Sequence, residues 1–62
     1  MNVGGPVELR ATGEKGRICR DLGFREYCVQ LEMLGCRRIA EDSLRDSTEP
    51  APHCAPSCVN GC

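Results

Sequence analysis

Six cysteines and one histidine are the residues of this 62-residue chain whose types could do chemistry. Cys19, Cys28 and Cys36 stand nine and eight residues apart in a proline-free stretch. Cys54, Cys58 and Cys62 follow at intervals of four in a tail that also holds Pro56 and Gly61. Nucleophilic catalysis needs a base beside the thiol, and His53, the sole histidine, is adjacent to Cys54 in sequence, where neighbours usually point apart. Zinc accepts the ligand types of His53, Cys54, Cys58 and Cys62. Structural zinc sites, however, draw paired ligands from two separate knuckles, whereas this set lies in one segment and leaves three cysteines unexplained. Disulfides use all six, since the number is even and no C-x-x-C redox pair occurs. The expectation is that Cys19, Cys28, Cys36, Cys54, Cys58 and Cys62 are all disulfide cysteines, joining the tail to the middle of the chain. No catalytic residue, metal ligand or cofactor is expected, and spacing alone leaves the connectivity open.

A chain this short needs such staples. One small domain buries only about 60% of the surface that its unfolded form exposes. Apart from the cysteines, the central apolar material is Ile18, Leu22, Phe24, Tyr27, Val29, Leu31, Met33, Leu34, Ile39 and Leu44, with no Trp among them. A disulfide closing a loop of fifteen or more residues contributes roughly 3–4 kcal/mol. Cysteine-dense small domains belong to oxidising compartments. Residues 1–6 carry neither a basic n-region nor an apolar h-region, so a signal removed earlier, a fragment, or import into the mitochondrial intermembrane space are the routes considered. A net charge of −1 gives no electrostatic reason to expect nucleic acid as a partner. No apolar run approaches the ~18–20 residues of a membrane span, so no membrane insertion is expected.

The elements that would position the cysteines read as helical. Residues 1–17, with Gly4, Gly5, Pro6, Gly13 and Gly16, form a flexible N-terminal arm in which Val7 to Ala11 alternate as an edge strand or adopt nothing regular. Phe24, Cys28, Leu31 and Gly35 fall at i, i+4, i+7 and i+11, one face of a helix that Tyr27 and Leu34 widen. Asp21 is placed to cap its start and Gly35 to end it. A second helix over residues 37–44 would carry Arg37 and Arg38 against Glu41 and Asp42 on an exposed face. Residues 46–52 form a proline-broken connector, and a single helical turn over residues 55–59 can start at Pro56 before Gly61 breaks it. The predicted fold is a small, disulfide-rich, mainly α domain over residues 18–62, two short helices with an irregular cysteine-rich tail.

Cys19-Arg20-Asp21, Cys28 followed by Gly35-Cys36, and Cys54-Ala55-Pro56-Ser57-Cys58 with a final Cys62 resemble the ShK-type domain, a six-cysteine fold named for a sea-anemone potassium-channel toxin. The resemblance covers residues 19–62 and implies the pairing Cys19–Cys62, Cys28–Cys54 and Cys36–Cys58. It differs from the family pattern in placing Val59-Asn60-Gly61 between the last two cysteines and in its long loop from Cys36 to Cys54. The Lys-Tyr pair that the toxins present to a channel has no counterpart, because the corresponding loop reads Asp42-Ser43-Leu44-Arg45-Asp46.

The function expected is that of a non-enzymatic, secreted, toxin-like binding module or peptide ligand acting on a protein partner through surface contacts. Two further readings stand beside it. One is a small structural subunit of a larger assembly in an oxidising compartment such as the mitochondrial intermembrane space. The other is a precursor whose residues 1 to about 46 are a leader and whose cysteine-rich tail is modified.

Overall fold

The computed structural model describes residues 1–61, with side chains through residue 58; Cys62 lies outside the described residues. Five antiparallel strands form one sheet: β1 (Pro6–Leu9), β2 (Lys15–Gly23), β3 (Glu26–Leu31), β4 (Gly35–Ala40) and β5 (Leu44–Asp46). A 3₁₀ turn (Glu41–Ser43) precedes β5, and a short helix, α1 (Pro56–Gly61), is the last of the described elements. The strand order is β4-β3-β2-β1-β5. The first four strands form a meander, and β5 crosses back to pair with β1.

The mainly α expectation is therefore corrected. Residues 26–31 show why the helical stripe misled. Tyr27, Val29 and Leu31 point into the core while Cys28 and Gln30 occupy the opposite face, the period of two that a strand requires. Cys28 is as fully buried as Val29, so both faces of β3 are covered and the alternation is hidden in a nearly continuous apolar run. Phe24, the head of the supposed helical stripe, is 98% exposed at a hairpin tip. The predicted second helix, residues 37–44, is instead β4, the 3₁₀ turn and the first residue of β5. Gly35 does adopt positive φ, 76°, but it closes the β3–β4 hairpin rather than a helix. Asp21 does accept a backbone hydrogen bond, 2.9 Å from the Gly23 N–H, but as a local turn within β2 rather than a helix cap.

Val7-Glu8-Leu9, whose alternation suggested an edge strand at most, lies between β2 and β5. The core consists of Val7, Ile18, Tyr27, Val29, Leu31 and Leu44, with Leu9 and Ile39 packed against it. Met33 and Leu34, predicted as core, are exposed in the β3–β4 turn. Strand β2 serves both halves of the sheet: residues 15–17 pair with β1, and residues 16–23 pair with β3. Register shifts between Ile18 and Arg20 and between Asp21 and Gly23 bend the strand, as bulges do. Gly16 sits where the two pairings overlap. A Cβ there would lie 2.9 Å from the Gln30 carbonyl oxygen and equally near side-chain atoms of Val29 and Leu31, so the close approach requires glycine.

The connector after β5 is held by Arg17. Its Nε donates to the Pro52 carbonyl at 3.0 Å, one terminal nitrogen to Ala51 at 3.4 Å and the other to Gly4 at 2.6 Å. The tail then crosses the outer face of β2, β3 and β4, with Pro56 at the first position of α1, where its missing N–H costs nothing.

Candidate functional site

The outer face of the sheet gathers the sulfur atoms. The bulge in β2 leaves Cys19 half-buried, and it is disulfide-bonded to Cys54 with 5.7 Å between their Cα atoms. On β4, Cys36 is bonded to Cys58 of α1 at a Cα separation of 5.3 Å. Both bonds join strands to tail. Cys36–Cys58 belongs to the pairing that the ShK-type resemblance implies; Cys19–Cys54 does not.

Cys28 lies beside the second bond. Because Gln30 of β3 is directly opposite Cys36, Cys28 and Cys36 are diagonal neighbours on one face. Cys28 Sγ stands 2.9 Å from Cys36 Sγ and 3.0 Å from Cys58 Sγ, and the Cys58 carbonyl oxygen is 3.0 Å away. All three sulfurs lie within 4.8 Å of one another. Cys28 and Cys58 are fully buried. Among the described residues, no cysteine is free. On the same face, the Oε1 of Gln30 is buried with no hydrogen-bond partner among the described residues.

The zinc set considered from sequence is split apart. Cys54 is bonded to Cys19, Cys58 turns to β3 and β4, and His53 is exposed. Cys62, part of that set, lies outside the described residues. The trio of Cys28, Cys36 and Cys58 was not legible as a group, because three different elements supply it. Only the eight-residue interval from Cys28 to Cys36, which suits two arms of a hairpin, pointed toward it.

Two further features escaped the sequence reading. The first is the β2–β3 turn, where Phe24 and Arg25 both take positive φ, 52° and 60°. Two consecutive left-handed residues are the geometry of a two-residue hairpin, which normally selects Asn-Gly or Asp-Gly. Phe and Arg are strained there. The Arg25 carbonyl accepts from the Glu41 N–H at 2.7 Å, anchoring the turn to the start of the 3₁₀ segment. The signal was present in Gly23-Phe24-Arg25-Glu26, a glycine and two residues between alternating runs.

The second is an ion-pair row across three strands. Glu8 of β1 is opposite Lys15 of β2 and Arg45 of β5, and its nearly buried carboxylate accepts from both. The hydrogen bond from Lys15, then that from Arg45, holds the Glu8 carboxyl below the ordinary carboxylate range. The same bond to Glu8 pushes the Lys15 ammonium up. No spacing links residues 8, 15 and 45. Elsewhere, burial first and the hydrogen bond to Glu41 second push the Tyr27 phenol up; its hydroxyl donates to Glu41 at 3.2 Å. A surface cleft of about 340 Å³ is lined by Met1, Asn2, Pro6, Val7, Asp46 and Ser47 among others.

No family model, curated protein or solved structure matches the chain.

Proposed function

We propose that the protein is a non-catalytic, disulfide-stapled binding module or peptide ligand that acts through protein–protein contacts in a secreted or extracellular setting. The observation that carries this reading is the Phe24-Arg25 tip. A fully exposed aromatic on two consecutive left-handed residues is costly for folding alone, and backbone strain of that kind concentrates at binding and switch sites. Bulky aromatic and Arg side chains are also the residues on which interface energies concentrate. The tip extends from a sheet cross-linked to its own tail, so its geometry is held before any partner arrives, which lowers the ordering cost of binding. The disulfides among the described residues, Cys19–Cys54 and Cys36–Cys58, fit an oxidising compartment.

The test is photo-crosslinking from the tip. A benzophenone amino acid at position 24 is compared with the same group at position 48, an exposed residue of the connector, in fluid from the producing tissue or culture. The expected result is a discrete adduct from position 24 that excess wild-type protein suppresses and excess Phe24→Ser does not. Equal labelling from both positions, or equal competition by Phe24→Ser, would overturn the proposal, provided amide exchange shows the variant's sheet unchanged.

A further inference from the structure

The sulfur trio on the outer face of the sheet has a chemistry beyond stapling. Three cysteines from β3, β4 and α1 bring their sulfurs within 4.8 Å of one another, with two of the three side chains fully buried. A tetrahedral zinc–thiolate site has Zn–S bonds of about 2.3 Å and therefore sulfur–sulfur edges of roughly 3.8 Å. The contacts from Cys28, at 2.9 and 3.0 Å, are within about 1 Å of that edge, a displacement that small side-chain rotations supply. Cys28, Cys36 and Cys58 are all disulfide-bonded, so the three reach that edge only after reduction frees their sulfurs. Non-covalent contacts that survive reduction already hold all three elements together: β3 and β4 pair over six residue positions, and the tail is tied to the sheet by the Arg17 hydrogen bonds to Ala51 and Pro52.

We propose that the reduced protein binds one thiophilic divalent cation, of which zinc is the type, through Cys28, Cys36 and Cys58. The oxidised chain has no free cysteine among the described residues, so reduction comes first. A dithiol reductant delivers two electrons and two protons to each protein disulfide, yielding two thiols and its own cyclic disulfide. The three thiols then lose their protons to solvent as three metal–sulfur bonds form, leaving the cation +2 against three negative sulfurs. Three protein ligands leave one tetrahedral position for a donor outside the trio. The buried Gln30 Oε1 on the same face, an acceptor without a donor among the described residues, is the kind of group that a metal-bound water satisfies. The same tail is thus held to the same sheet by a disulfide under oxidising conditions and by a metal under reducing ones. This site is independent of the Phe24-Arg25 tip.

The full chain is reduced anaerobically and titrated with Co²⁺ and then Zn²⁺. For these titrations a phosphine is used instead of the dithiol, because it does not chelate the metal. Each phosphine takes an oxygen from water to become the phosphine oxide as one disulfide becomes two thiols. The expected result is one cation per chain, a thiolate-to-cobalt charge-transfer band, and slowed amide exchange in β3, β4 and α1. Cys28→Ser, Cys36→Ser and Cys58→Ser should each weaken Zn²⁺ binding by more than the ~10-fold typical of losing even an outer-shell partner. The double variant C19S/C54S should bind as the wild type does. Loss of binding in that double variant equal to the loss in the trio variants would overturn the proposal. So would undiminished binding when all three trio cysteines are replaced. Binding without added exchange protection in β3 and β4 would also overturn it, because the metal would then be held by an unfolded chain.

Discussion

Glu8 shows how much one side chain can organise when strand pairing, not sequence spacing, chooses its neighbours. It lies on the middle strand of three, with Lys15 directly across on one side and Arg45 on the other. A nearly buried carboxylate is tolerated only when its charge is compensated, and here two cations compensate it. Its carboxyl is held below the unfolded value near 4.5, chiefly by the bond from Lys15. Above that value both folded and unfolded chains are ionised there and the full stabilisation is present. As pH falls below it, the unfolded chain takes up the proton first. The contribution shrinks and is gone once pH has dropped through the folded value. Denaturant midpoints measured from neutrality down to about pH 2 should therefore fall on the acid side. Glu8→Gln should already be less stable at neutrality and lose less on acidification. An acid limb as steep in Glu8→Gln as in the wild type would remove Glu8 from the explanation. On the alkaline side the sign reverses. Lys15, raised by the same bond, contributes below its ordinary value of 10.5 and loses that contribution as pH rises through the folded value.

At the scale of elements, the β2–β3 hairpin is where backbone preference and tertiary structure disagree. Its two-residue loop demands positive φ twice, and Phe24 and Arg25 supply it against their own preference. Six residue pairs between β2 and β3, and the further pairing of β3 with β4, outweigh that cost. Replacing the loop with Asn-Gly (F24N/R25G) should raise stability by roughly 1–3 kcal/mol, less the backbone entropy that glycine adds to the unfolded chain. Chemical denaturation measures it directly. A destabilised double variant would mean that Phe24 or Arg25 makes a contribution to the fold that the exposed tip does not reveal. The β3–β4 hairpin has no such conflict. Gly35 takes its positive φ freely, and the Glu14 carboxylate accepts from the Met33 and Leu34 N–H groups at 2.8 and 3.1 Å.

At the scale of the whole molecule, the sheet has two covered faces of different chemistry. One is aliphatic and aromatic, closed by Val7, Ile18, Tyr27, Val29, Leu31 and Leu44; the other is closed by a tail that carries cysteine instead of a second apolar layer. The Cys19–Cys54 bond closes a loop of 35 residues, so the C19S/C54S variant should lose about 4 kcal/mol of stability. The loss should begin in the tail. Hydrogen exchange of residues 47–54 should accelerate before that of β2 and β3, because that stretch would then be held by the Arg17 hydrogen bonds and, beyond it, by the Cys36–Cys58 bond. Simultaneous loss of protection throughout the chain would show instead that tail and sheet unfold as one unit.

The sequence by itself determined that a thin apolar core would be supplemented by cysteines in the tail, and that the chain would break after residue 46 and could turn helical at Pro56. Those signals are local: composition, proline and glycine placement, and the clustering of Cys54, Cys58 and Cys62. Only the tertiary structure decided that the middle of the chain is sheet rather than helix. It also decided that Glu8 meets Lys15 and Arg45, and that Cys28, Cys36 and Cys58 converge. The physical reason is that strands derive their stability from partners distant in sequence. The usual sign of a strand, one wet face, is erased when a stapled tail buries the other side. With Cys28 buried like Val29, the run from Tyr27 to Val29 carries no polar beat, and a chance helical spacing that began at an exposed Phe24 became the strongest periodic signal in the chain.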